Sequence, residues 1–406
     1  MKNNISILKR IGYSNIIVVL MQLCMYPYLF FYFFGGPSHT EVAVVFFVII
    51  LLFCIGKSNK RRRVHSAIAS IMIIQSIVWL LYFVNYNDTS YLVRIFFISL
   101  TYLALLLLQK DDSVVSFSRL YSYIIAIQGV LGVLAFILIF ASIISPIATM
   151  SFNDYGDSYE FYGITFVKVH IGNFARINGF FDEPGAFAFW GMFALIFNKL
   201  FFDNRKLEII IIISLLVTFS SAYFILLPIY FLWFYGNRIK SMLLLLIVLA
   251  PLLFFSAKFL SSNEGFLKYT VERFQGGEIE STRFDQAEYT KKIFVKSPIF
   301  GIGAENLDGT FGTMSSDNPY EILAKDGIFG LIITYLPLFY IAIRFGRRKD
   351  ILGPIIILSL NYMQRPFHIN EMHYFMLYLF CFLVLLKYER GANETLRASN
   401  LLLTNK

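Results

Sequence analysis

Charged residues make up 15% of this 406-residue sequence. Three of them, Arg176, Asp182 and Glu183, nevertheless stand together in ARINGFFDEPGAFAFW (175–190), against an apolar aromatic run. These types suit work on an anion. A guanidinium grips phosphate oxygens through two parallel donors, and a helix N-terminus attracts the same ligand through free N–H groups and its dipole. A carboxylate beside them could orient the arginine or serve as a base. The local structural reading is also complete: Pro184 suits a first helical position, Asp182 or Glu183 would cap it, and Gly179 would turn the chain inward. Asp317-Asn318 before Pro319 repeats this acidic-then-proline entry.

The elements that must position these residues are membrane spans. The composition is 57% hydrophobic and 18% aromatic, with a mean hydropathy of +0.66. Soluble domains average about 45–50% apolar and about 25% charged. Apolar segments fall at about 15–34, 41–56, 66–84, 91–108, 121–145, 184–202, 208–219, 222–235, 240–257, 321–345, 351–363 and 372–387. The first lacks a small-residue cleavage site and is expected to be a span rather than a signal peptide. The fold class expected is an all-α polytopic membrane protein of about 12 segments, a single integral membrane domain over 1–406.

The net charge of +9 reads as topology. Lys57 with Lys60–Arg63, Arg205-Lys206, Arg238 with Lys240, and Arg344 with Arg347–Lys349 all fall on one side if both termini are cytoplasmic, as short basic loops require. No nucleic acid partner is expected. The same parity demands that 208–235 turn back near Ser220-Ser221 as a short hairpin, since one crossing would expose Arg344–Lys349 outside. Backbone that breaks at such depth needs cover from protein or a wet cavity. Two long links then face outward, 146–183 and 258–320, the larger lying between segments 9 and 10. They carry Arg176, Arg273 and Arg283 on the side where arginine is disfavoured, which makes these three candidates for holding an anion.

Within the second link a helix is expected from about Thr282 to Lys296, ended by Ser297-Pro298. Cys24, Cys54 and Cys381 lie in apolar runs and suggest no disulfide framework. The five histidines show no ligand spacing, and Asp-x-Asp, common in metal-dependent nucleotide-sugar enzymes, is absent; no metal or other cofactor is expected. Asn318, Arg365 and His373 are candidate cavity-lining residues, although interfacial anchoring is the simpler reading of the last two. Arg94 reads as snorkelling outward.

The arrangement R-x-x-G-F-F-x-E-P at 176–184 resembles the first outer-loop motif of the O-antigen polymerase and O-antigen ligase family. R-F-x-x-A (283–287), K-S-P-I-F-G-I-G (296–303) and D-N-P-Y-E-I-L-A-K-D-G-I-F-G (317–330) resemble that family's large outer loop and the span after it, and the Ser-Ser break is similar too. The resemblance covers about 170–335. It implies a GT-C-like glycosyltransferase at the outer face of a bacterial cytoplasmic (inner) membrane, acting in surface polysaccharide synthesis. Its donor would be a glycan on undecaprenyl diphosphate. Partners implied are lipid-linked oligosaccharide repeat units, membrane lipid and a chain-length regulator. Ligases of the family carry His-Asn where this sequence has Asp317-Asn318, which favours a polymerase. Arg176 and Arg283 are then expected to meet the leaving diphosphate, with Arg273 behind them, while Glu183 and Asp317 compete as catalytic base. A lipid-linked oligosaccharide flippase is a rival, but it would not need a 60-residue outer loop. A secondary transporter should show repeat symmetry, and none is seen.

Overall fold

The computed structural model describes residue 49 and residues 64–108, 113–151, 158–170, 174–181, 183–236, 278–311, 320–364 and 373–388. The segments expected at 15–34 and 240–257, and 41–56 apart from Ile49, lie outside the described residues. So do Arg273, Asp317, Asn318 and Arg365, and of Arg283 only the backbone is described.

The chain is mostly helical. Helices α1 (Ser66–Tyr86) and α2 (Ser90–Leu108) are joined by a turn at Asn87, which takes a left-handed conformation. Helix α3 (Ser113–Phe140) leads to four strands, β1 (Ala148–Ser151), β2 (Ser158–Phe161), β3 (Phe166–His170) and β4 (Phe174–Gly179). Helix α4 (Pro184–Phe197) ends in a wide π turn at Asn198–Phe202 and is followed by α5 (Arg205–Leu216) and α6 (Ser221–Tyr235). Then come α7 (Glu278–Lys296), α8 (Ala304–Phe311), α9 (Glu321–Thr334), α10 (Leu336–Phe345), α11 (Lys349–Gln364) and α12 (His373–Tyr388).

Four stretches are long and apolar enough to cross a membrane: Ser66–Tyr86, Phe117–Phe140, Pro184–Phe202 and Glu321–Phe345. Their surroundings differ. Helix α1 leaves Ile73, Ile77, Leu81 and Val84 exposed, and α3 leaves Ile127, Val130, Leu134 and Ile137 exposed. That is one apolar stripe per helix at helical spacing, on a bundle surface suited to lipid. Helix α4 is buried along nearly all its length, and so is α12 from Tyr374 to Leu385. These two helices form the centre around which the others pack.

The expected hairpin is present. Asn204 caps α5 by accepting from the N–H groups of Lys206 and Leu207. The chain then breaks at 217–220, with Phe219 at φ 49°. It folds back antiparallel, so that the Tyr223 hydroxyl donates to the Ile212 carbonyl (3.0 Å) and the Tyr230 hydroxyl to Glu208 (2.7 Å). Helix α7 likewise ends where Ser297-Pro298 predicted.

One element was not foreseen. The link at 146–183, expected as an outer loop of an all-α protein, holds a four-stranded antiparallel sheet in the order β1-β2-β3-β4. Each strand is four to six residues long. Strands this short give little periodic signal beside 20-residue apolar runs.

Candidate active site

The sheet ends at the mouth of α4. Gly179 closes β4 at φ 63°, a left-handed conformation that glycine adopts without steric cost. Phe181 stacks on Phe187 at 5.5 Å, and Glu183 takes the cap position in an extended conformation. The Glu183 carbonyl accepts from the N–H groups of Ala186 and Phe187, while its carboxylate makes no capping hydrogen bond. The cap expected of Asp182 or Glu183 is therefore Glu183, with Pro184 in the first turn.

Arg176 stands on β4 and is buried. Its Nε donates to the Thr218 carbonyl (3.1 Å) and its Nη2 to the Phe219 carbonyl (3.2 Å), while the Ile177 N–H bonds the Val217 carbonyl. The guanidinium thus grips the break between α5 and α6, supplying donors to carbonyls that the broken helix leaves over. Arg176 is directly opposite Lys168 of β3, whose Nζ lies 4.0 Å from Glu183 Oε1 and 5.4 Å from the ring centroid of Tyr159.

Beside this mouth is a small cavity lined by Gly185, Ala188, Phe189 and Met192 of α4, Ser220, Ala222 and Tyr223 at the break, and Asn361 of α11. The wet or covered space that the break required is there. Asn361 Nδ2 donates to the Phe189 carbonyl (3.0 Å). The neighbouring Tyr362 ring lies 5.3 Å from Phe189 and 4.3 Å from His373. His373 is fully buried among Tyr335, Tyr362 and Tyr374, and among the described residues neither ring nitrogen has a hydrogen-bond partner. Interfacial anchoring does not describe it.

The second mouth, at α9, is built on a buried ion pair. Arg94 Nη1 meets Asp326 Oδ2 at 2.7 Å, with both side chains fully buried. Tyr91 donates to the other carboxylate oxygen (2.9 Å) and Tyr82 to the Asp326 carbonyl (2.7 Å). Trp79 and Tyr91 hold the guanidinium at 4.5 and 4.7 Å from their ring centroids. Arg94 therefore does not snorkel. It is committed to an acid one helix away, which the sequence contains but whose pairing no spacing reveals. Glu321 and Lys325 add a second buried pair at 2.8 Å, one helical turn apart.

That mouth also explains the two glycine-rich motifs. Gly327 breaks α9 at φ 68°, ψ −173°. The segment 298–303 lies alongside the break: Ile302 and Gly303 donate to the carbonyls of Ala324 and Lys325, and Ile328 and Phe329 donate to those of Pro298 and Ile299. A β-carbon on Gly327 would come within 2.2 Å of the Ile299 carbonyl oxygen, and one on Gly301 within 2.3 Å of that of Lys325. Asp88, in the α1–α2 turn, accepts from the Glu305 N–H at the start of α8 (2.8 Å) and from the Ser90 N–H.

Residues 207–335 match the family model described as O-antigen ligase. The match supports the O-antigen ligase/polymerase family. It spans the α5–α6 hairpin, the long link and α9, so the family's segment contains the break that Arg176 grips and both glycine motifs. Arg176 and Glu183 themselves lie just before it. No curated protein and no solved structure matches the chain. Of the residues singled out in sequence, the structure brings Arg176 and Glu183 to one mouth and puts His373 in contact, through Tyr362, with the helix that forms it. Sequence reasoning missed Lys168, Asn361 and Asp326.

Proposed function

We propose that the protein is a surface polysaccharide polymerase that transfers a growing glycan from undecaprenyl diphosphate onto the next lipid-linked repeat unit, without a metal ion. A hydroxyl of the acceptor sugar attacks the anomeric carbon of the donor. The new C–O bond forms as the bond to the diphosphate oxygen breaks, the lipid diphosphate leaves as an anion, and the hydroxyl proton passes to a carboxylate. Such a departure needs positive charge fixed in advance where the anion develops. The observation that carries the reading is the gathering of Arg176, Lys168 and Glu183 at the α4 mouth, against the break that lies within the family match. Arg283 is expected to approach from α7, with Arg273 behind it. Asp317 is the alternative base, and Asn318 and Arg365 are expected to line the cavity.

A second reading is a ligase that transfers glycan to lipid A core, favoured by the description of the matching family. One assay separates them. Purified protein in excess chelator is given lipid-linked repeat units, with and without lipid A core. Products that lengthen by whole repeats on the lipid carrier are expected. Glycan transferred only to lipid A core supports the ligase, and activity that returns only with magnesium or manganese overturns metal independence.

A further inference from the structure

The motif K-S-P-I-F-G-I-G at 296–303 falls in a link that the sequence analysis puts wholly outside the membrane. Its turn does not suit water. Ile299 is 59% exposed and Phe300 51%, where a turn in solvent would carry small or polar residues. Four consecutive carbonyls of the same turn are nonetheless met by protein. Those of Pro298 and Ile299 accept from the N–H groups of Ile328 and Phe329. Those of Phe300 and Gly301 accept from the Tyr86 hydroxyl at 3.2 and 3.1 Å, and the Ser297 hydroxyl also reaches Gly301 (2.6 Å). Irregular backbone is kept out of lipid because unmet N–H and C=O groups are costly there, and this turn leaves no carbonyl of 298–301 unmet. We propose that residues 298–301 form a wedge inserted at the boundary of headgroups and acyl chains. The leaflet is the one at this end of the bundle, the outer one in the topology expected above. The partner of Ile299 and Phe300 is the acyl chains of phospholipid.

Depth follows from the partners. Phe329, whose N–H bonds the Ile299 carbonyl at 3.0 Å, stands about two helical turns past Glu321, where the apolar stretch Glu321–Phe345 begins. The turn therefore lies beside that span and not above it. Its apolar surface continues onto two spans. The Phe300 ring is 5.6 Å from Phe329, and Tyr82 of α1 is 6.5 Å from both rings. Ile328, Phe329 and Ile332 of α9 are exposed, as are Leu81 and Val84 of α1. Both stretches are long and apolar enough to cross a membrane, so the occupant of their exposed stripes is lipid, and the wedge extends those stripes. Lys291, Lys292 and Lys296 are exposed on the last turns of α7, just before the apolar pair. Lysine stems can follow apolar surface while their ammonium groups stay at the level of the phosphates. Inserted in this way, the wedge sets the depth of α7 and α8, which it joins.

The test uses the full-length protein in nanodiscs of phosphatidylethanolamine and phosphatidylglycerol. The photoreactive residue p-benzoylphenylalanine is introduced singly in place of Phe300, of Ile299, and of Ile77 on the exposed stripe of α1. After illumination, mass spectrometry of the intact protein should show a mass increase of one phospholipid at positions 300 and 299, with a yield like that at 77. Absence of the phospholipid adduct at both positions while it forms at 77 overturns the proposal, since the turn would then stand in water. Crosslinks from 299 and 300 into the protein chain overturn it too, because the patch would be covered by another segment. If the variant at Phe300 does not purify folded, the one at Ile299 decides alone. The readout does not depend on whether the protein extends a glycan or transfers it.

Discussion

Arg94 and Asp326 are 232 residues apart in sequence and share one hydrogen bond in the interior. Moving two such charges out of water costs several kcal/mol each after relaxation, and only close geometry with further hydrogen bonds recovers it. Here Tyr82, Tyr91 and Trp79 complete the surroundings. Because the pair joins α2 to the broken part of α9, losing one member leaves the other charged and alone. Arg94→Leu should therefore destabilise the protein by about 3–5 kcal/mol, and Arg94→Leu with Asp326→Leu by clearly less. Thermal unfolding of the detergent-purified variants is the check. A double variant no more stable than the single one would mean that the pair is not the latch described. Arg176 has a different fate from Arg94, and sequence could distinguish neither. Both read as arginines near the outer ends of apolar runs, and only the partners, Thr218 and Phe219 for one and Asp326 for the other, show what each does.

At the scale of elements, the α1–α2 turn is coupled to the outer link through Asp88. Burial pushes its carboxyl upward, but the N–H groups of Glu305 and Ser90 and the charge of Arg94 outweigh that and hold it below the ordinary 3.8. A folded-state value below the unfolded one contributes stability that is full above the unfolded value and lost as pH falls through the folded one. Asp88→Asn should thus lower stability by about 1–3 kcal/mol near neutral pH, and the difference should begin to shrink only below about pH 4 and keep shrinking as pH falls through the depressed folded-state value. Melting curves of both proteins from neutral pH downward test this; a gap that does not narrow at all below about pH 4 would assign the loss to packing instead. The elements legible in sequence were those with long apolar runs or sharp breaks: α1, α2, α4, the hairpin at Ser220-Ser221, and the end of α7 at Ser297-Pro298. The sheet was not legible, because its strands are short and their buried positions include Lys168 and Arg176, which read as loop. The docking of 298–303 onto 324–329 was half legible. The glycines were visible as motifs, but nothing local says that Gly301 and Gly327 approach each other's backbone.

On the scale of the whole molecule, the contacts sort the helix ends into two groups. At one end the α1–α2 turn meets α8 through Asp88 and Glu305, the 298–303 segment meets α9, and Asn361 and Tyr362 of α11 reach Phe189 of α4 and His373 at the start of α12. At the other end Lys387 of α12 donates to the Leu200 carbonyl, Arg119 of α3 packs on Phe202, and Trp233 at the end of α6 donates to the Lys349 carbonyl. The second group holds Lys199, Arg205, Lys206, Arg348, Lys349 and Lys387. The first holds the site. Short basic connections remain on the cytoplasmic side of a membrane, so the second group is expected to face the cytoplasm and the site to face outward. This orientation depends on the chain turning back between α5 and α6; one continuous crossing there would reverse everything after residue 220. Cysteines introduced one at a time at Glu264 and Asp308 should react with a membrane-impermeant maleimide in intact cells, and a cysteine at Lys206 should react only after permeabilisation. Protection of both outer positions with labelling of Lys206→Cys would invert the molecule, and with it the claim that the lipid-linked donor is met at the outer face.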